Sequence, residues 1–145
     1  MQYQKTQANG ESIGLQGNNG IGVTMESAAA GALTAADSGK IIVLDSAEGV
    51  EITLPAVAVA AGLIYRFLTG LAFETTAYTI VAATNVIQGG AIVNSVFVPA
   101  VNENTISFVD TAEALGDYVE IVSDGTNWYV SGVGAGAGSI TFTAP

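Results

Sequence analysis

The apolar residues of this chain come in short runs closed by Gly, Pro, Asn or Asp, a punctuation that fits short strands far better than helices. Ile41 to Leu44 is unbroken apolar sequence, the pattern of a strand buried on both faces. Val50, Ile52 and Leu54 alternate with Glu51 and Thr53, as a half-buried strand requires, and Ser46 to Gly49 supplies the connecting turn. Further strands are predicted over residues 63–69, 78–82, 91–98, 105–109 and 139–143. Turns are predicted at Gly70, Gly89-Gly90, Pro99 to Asn104 and Leu115 to Asp117. The segment "LPAVAVAAGL" from Leu54 fits a short helix between Pro55 and Gly62 or a strand alternating Ala with Val, and is read as a linker. Many short strands at this spacing predict an all-β fold, an antiparallel β-sandwich or barrel.

The strongest local signal is "YVEIVSDGTNWYVSG", Tyr118 to Gly132, which reads as a hairpin about a two-residue Asp124-Gly125 loop. Side chains alternate across a strand, so Val119, Ile121, Trp128 and Val130 are expected to cluster on the buried face, with Trp128 as the main packing surface. The other aromatics also sit mostly at strand spacing, so core packing is their default role. Tyr129 points opposite to Trp128 and is the aromatic expected at an interface.

The chain has 145 residues, the size of one ordinary domain. Half are hydrophobic and 11% are charged, with 18 glycines, a composition too apolar for disorder and too rich in turns for a helical bundle. Thirteen acidic residues face three basic ones, Lys5, Lys40 and Arg66, for a net charge of -10. Nucleic acid and anionic membrane surfaces are therefore not expected as partners, because both are held largely by Lys and Arg. The polar start "MQYQKTQANGES" does not read as a secretory leader, and no unbroken apolar stretch of about 18 to 20 residues is present to span a bilayer as a helix.

Residues 1–36 differ from the rest. They are rich in Gly, Asn, Gln and Ala, with turn dipeptides at Asn9-Gly10 and Asn19-Gly20 and scattered apolar residues. They read as an extended N-terminal arm, which would be ordered by lying against its own domain or a neighbouring subunit, while residues 37–145 form the β domain. Near the other end, "GVGAGAG" at 132–138 reads as a flexible Gly/Ala link, after which Ile140 and Phe142 either add a strand to a neighbour or pack back on their own domain. The residues expected at a subunit or partner interface are thus Tyr3, Ile13, Leu15, Ile21, Val23, Met25, Tyr129, Ile140 and Phe142.

No reactive signature emerges. Cys and His are both absent, which removes thiol chemistry and the commonest general base and metal ligand. Gly134, Gly136 and Gly138 are followed by Ser139 where a dinucleotide loop needs glycine, and Gly39-Lys40 is followed by Ile41 where a phosphate loop needs Ser or Thr. Asp110, Glu113 and Asp117 lack calcium-loop spacing and read as a solvated turn. No catalytic residue, cofactor or metal is expected.

Four stretches carry a family resemblance: "LTAADSGKIIVLDSAEGVEITLPA" from Leu33, "AGLIYRFLTG" from Ala61, "YTIVAATNVIQGG" from Tyr78 and "GDYVEIVSDGTNWYVSG" from Gly116. Together they resemble a module of tailed-bacteriophage virion structural proteins, found in capsid decoration (cement) proteins and in fibre- or tail-associated proteins. The resemblance implies an antiparallel β domain, often trimeric and without catalytic residues. The glycine-rich arm before Leu33 and the link after Gly132 depart from it. The lack of a long shaft favours a compact homotrimer on the outer capsid surface, bound to the major capsid protein and stabilising the shell. The alternative it implies is a receptor-binding domain whose 99–104 loop meets a host receptor.

Overall fold

The computed structural model describes residues 24–145, together with the backbone of two short paired strands, β1 (Lys5–Thr6) and β2 (Ser12–Ile13). The described chain is predominantly β-strand, as its alternating pattern predicts. From Met25 to Val81 the chain passes back and forth between two sheets. β3 (Met25–Ser27), β5 (Ile41–Leu44) and β7 (Ile64–Thr69) lie side by side in one sheet, and β4 (Gly31–Ala32), β6 (Glu51–Thr53) and β8 (Tyr78–Val81) in the other. Each strand runs parallel to the one it joins.

The remaining strands are β9 (Ile87–Val93), β10 (Val96–Glu103), β11 (Thr105–Phe108), β12 (Tyr118–Ser123), β13 (Trp128–Gly134) and β14 (Ile140–Thr143). They complete a seven-stranded sheet in the order β10-β9-β13-β12-β7-β5-β3 and a five-stranded one in the order β14-β11-β8-β6-β4. Both sheets are mixed, which corrects the expected antiparallel fold. The parallel ladders among β3 to β8 arise because a strand of the opposite sheet serves as the crossover, a role that more often falls to a helix, and β9 also pairs parallel with β13. Among the described residues no helix is long and apolar enough to cross a membrane.

One core lies beneath both sheets. β5, β7, β12 and β13 contribute Leu44, Tyr65, Phe67, Val119, Ile121 and Trp128, and β6, β8, β11 and β14 contribute Ile52, Ile80, Ile106, Phe108 and Ile140, all buried. Each such side chain is worth about 1.5–3 kcal/mol relative to exposure. The Tyr65 and Trp128 rings meet at 5.8 Å between centroids, and Phe73 meets Tyr78 at 4.6 Å. The buried tyrosines also satisfy their hydroxyls: Tyr65 donates to the Thr34 carbonyl at 2.8 Å and Tyr78 accepts from the Ser46 amide at 3.0 Å.

Several local expectations change. The 91–98 strand is in fact the tip of a hairpin, turning at Asn94 and Ser95, which both adopt positive φ (48° and 65°). Gly89 and Gly90 lie inside β9 rather than in a turn, and residues 99–103 continue β10 rather than forming a loop. The β12–β13 loop holds four residues, because Ser123 pairs with Trp128. Asp124 organises that loop by accepting the Thr126 and Asn127 amides, each at 2.8 Å, which holds its carboxyl below the usual range. "LPAVAVAAGL" contains a short 3-10 turn at Val57–Val59.

The two large sheets begin at Met25, so residues 25–36, expected in the arm, include strands of both. At 132–138, Gly132 and Gly134 belong to β13, and a methyl at Gly132 would collide with the Tyr118 carbonyl oxygen. Close packing, rather than flexibility, accounts for that glycine. β14 pairs with β11 of its own chain, placing Ile140 in the core and Phe142 against it.

Candidate functional site: the open face of the seven-stranded sheet

Alternation gives each strand of the larger sheet a second face, directed away from the core. On β12, Tyr118, Glu120 and Val122 project outward between buried Val119 and Ile121. Register carries this row across the sheet. Tyr118 pairs with Val133 and Leu68, Glu120 with Ser131 and Arg66, and Val122 with Tyr129 and Ile64. The row continues through Ile92, which faces Val133 on one side and Phe97 on the other, and through Gln88, which faces Tyr129 and Val101. On the opposite flank Ile41 and Val43 follow Arg66 and Leu68, and Met25 follows Ile41.

The result is an apolar surface with no covering layer among the described residues. Phe97 is 58% exposed, Val101 61% and Tyr129 43%, while Ile92, Val122 and Val133 are similarly open. Seven strands spaced about 4.8 Å apart make it roughly 30 Å wide, and the outward row on β12 runs roughly 15–20 Å. A footprint on the order of 500 Å², before side-chain relief is counted, lies at the upper end of what monomers expose. Ile41 to Leu44, expected to be buried on both faces, is fully buried only at Ile42 and Leu44; Ile41 and Val43 remain half-covered. Parallel strands are normally covered on both faces, and the described residues cover only one.

Fine structure supports the face. Phe97 lies over Gly90, where an added methyl would sit 2.6 Å from the ring, so glycine creates the resting place of the most exposed aromatic. Tyr129 donates its hydroxyl to Asp124 at 3.0 Å, which fixes its ring on the surface. Arg66 lies 4.5 Å from the centroid of Tyr118, a cation–π contact. Pro99 on the edge strand β10 removes a backbone donor and discourages edge-to-edge pairing.

A second feature is a recess of about 160 Å³ between β3 and β4, floored by buried Ile42 and Ile52 and rimmed by Glu26 and Asp37. It is smaller than the roughly 300–1,000 Å³ of ligand pockets. Lys40 bridges its rim, donating to Glu26 at 2.7 Å and Asp37 at 2.8 Å. These contacts, led by the Lys40 hydrogen bond, lower the Asp37 pKa to about 2, while Asp37 first and Glu26 next raise that of Lys40 to about 12.

Two of the acidic trio, Glu113 and Asp117, behave as scaffold. Asp117 is buried rather than solvated, accepting the Ala114 amide at 3.0 Å and the Ala135 amide at 2.8 Å, while Glu113 accepts the Phe73 amide at 2.6 Å. Among the described residues no group of three or more His, Cys, Asp or Glu side chains is placed to hold a metal ion.

Of the residues expected at an interface, Tyr129 lies near the middle of the open face and Met25 at its β3 flank. Ile13 is described only as backbone in β2, and Tyr3, Leu15, Ile21 and Val23 lie outside the described residues. Ile140 and Phe142 pack on their own core. Phe97, Ile92, Val101, Val122 and Val133 were missed, although a signal for them exists: β10 and β13 carry apolar residues at both parities of the alternation. No family model and no curated protein matches this chain.

Proposed function

We propose that this chain is a structural protein of a tailed-phage particle, a capsid decoration or cement protein with a β-sandwich body that binds the outer surface of the head and stabilises the shell. The observation that carries the adhesive part of this reading is the broad, nearly uncharged face of the seven-stranded sheet. A large unpartnered apolar surface marks a protein that works by assembly. The virion setting rests on the sequence resemblance. A subunit that exists in several copies and touches several capsid proteins stabilises a shell by mass action and by high effective concentration. Homotrimerisation is what the resemblance implies. The segment ahead of β3 is the candidate shell-contacting element, with the major capsid protein as partner. The chain acts by binding, without a cofactor. The receptor-binding alternative has less support, because residues 99–103 lie in β10 instead of a projecting loop.

Mixing purified protein with undecorated shells and, separately, with host cells, then sedimenting each, tests the reading. Co-sedimentation with shells alone is expected; binding to cells alone would refute it. Deleting residues 1–23 leaves every strand of the two large sheets in place and should abolish shell binding.

A further inference from the structure

We propose that the open face of the seven-stranded sheet is a self-association surface, which pairs two copies of this chain across a two-fold axis. The proposal rests on reading the face as adhesive, and does not depend on the virion assignment.

The first argument is electrostatic. The chain carries a net charge of -10, so two copies repel wherever their acidic surfaces meet. On this face the central ionisable groups are Glu120 and Arg66, neighbours in register, so their charges cancel. Among the described residues ion pairs are formed only by Lys40, leaving both Glu120 and Arg66 without an ionic partner. A strongly basic or acidic partner would find no matching field here. A second copy would, because a two-fold axis places residue i against j and j against i, setting each Arg66 opposite the other chain's Glu120. One positive and one negative side chain, adjacent at the centre of an apolar field, form a self-complementary pattern.

The second argument is area and shape. The footprint, with its aromatic and branched side chains, comes within reach of the roughly 800 Å² per partner of a standard interface. Two sheets stack face to face about 10 Å apart when their facing residues interdigitate. Phe97, held over Gly90, and Tyr129, held by Asp124, are pre-positioned aromatics of the kind that anchor such contacts. The unbroken apolar run in β5 is then explained as well: one face meets the core and the other meets the second copy. A pair formed this way would present two N-terminal segments to a shell, so this arrangement offers multivalency without the three-fold ring implied by the resemblance.

The test uses the full chain without shells, so its outcome is independent of shell binding. Light scattering across about 1 to 100 µM should give a species of twice the 14.6 kDa chain mass. Arg66→Glu and Glu120→Arg each place like charges across the axis and should weaken pairing at least ~10-fold. Mixing these two variants, or combining both changes in one chain, should restore it. As a readout that tolerates some loss of stability, Arg66→Cys chains mixed with Glu120→Cys chains should cross-link on oxidation in preference to either alone, since the chain has no cysteine of its own. A monomer or trimer at 100 µM, unchanged pairing in the charge-reversal variants, or failure of the mixed variants to associate or cross-link would each overturn the proposal.

Discussion

The two faces of the seven-stranded sheet are built from similar residues and have different fates. Inward, Val119, Ile121, Trp128 and Val130 are buried in a core cluster to which both sheets contribute. Outward, on the same strands, Tyr118, Val122, Tyr129 and Val133 are equally capable of packing but meet nothing comparable among the described residues. The difference shows that hydrophobicity of a strand face states a capacity for burial, and that a second layer must exist for that capacity to be used. Here the described residues supply one layer, on one side.

The contrast can be broken most severely from the inside. Trp128→Ala should lower unfolding free energy by about 3–5 kcal/mol, because it empties the largest fully buried side chain and removes the contact with Tyr65. Chemical denaturation measures this, and a midpoint like that of wild type would show that the inner face is not the main source of stability.

A smaller loss is expected from Gly132→Ala, about 1–3 kcal/mol, since the new methyl would be forced against the Tyr118 carbonyl on the neighbouring strand. Thermal melts comparing this variant with Ala137→Gly, in the exposed turn that follows, separate close packing from flexibility in the 132–138 segment.

The Asp37–Lys40 contact should add a modest acid sensitivity. Asp37 has a lower pKa folded, about 2, than its ordinary value of 3.8, so its contribution is fully present above about pH 4 and is lost as pH falls towards 2. Asp37→Asn should flatten that part of the stability–pH curve by lowering stability modestly at neutral pH while leaving pH 2 little changed, the loss being small because the pair lies at the surface. Denaturation midpoints at pH 5 and pH 2 provide the comparison.

The smallest effect belongs to the open face. Val122→Thr or Val101→Thr should change monomer stability by no more than about 0.5 kcal/mol, measured at concentrations low enough to suppress association. A loss comparable to that of Trp128→Ala would mean that the outer face is covered within the chain.

Much of the inner architecture was legible from residue order. Period-two alternation located β6, β7, β8, β11, β12, β13 and β14 to within a residue or two at most boundaries, and it assigned Trp128 to the core side of its hairpin. It failed where the cue was weak or misleading. Asn94-Ser95 turns the chain without the glycine that usually announces such a turn, and Gly89-Gly90 looks like a turn but sits within a strand to accommodate Val130 and Phe97. The open face was only partly legible: Tyr129 was placed correctly as the outward aromatic, whereas Phe97 and Val101 were hidden in a supposed strand end and loop.

The sequence by itself determined that the chain forms short strands, where most of them lie and which side chains share a face, because each of these follows from local backbone geometry and the two-residue repeat. Only the tertiary structure decided that β3, β5 and β7 run parallel, that β14 returns to its own sheet, and that one apolar face of the larger sheet is left open by the described residues. Those outcomes depend on which distant strands pair and stack, and alternation along a strand carries no information about what will lie above it.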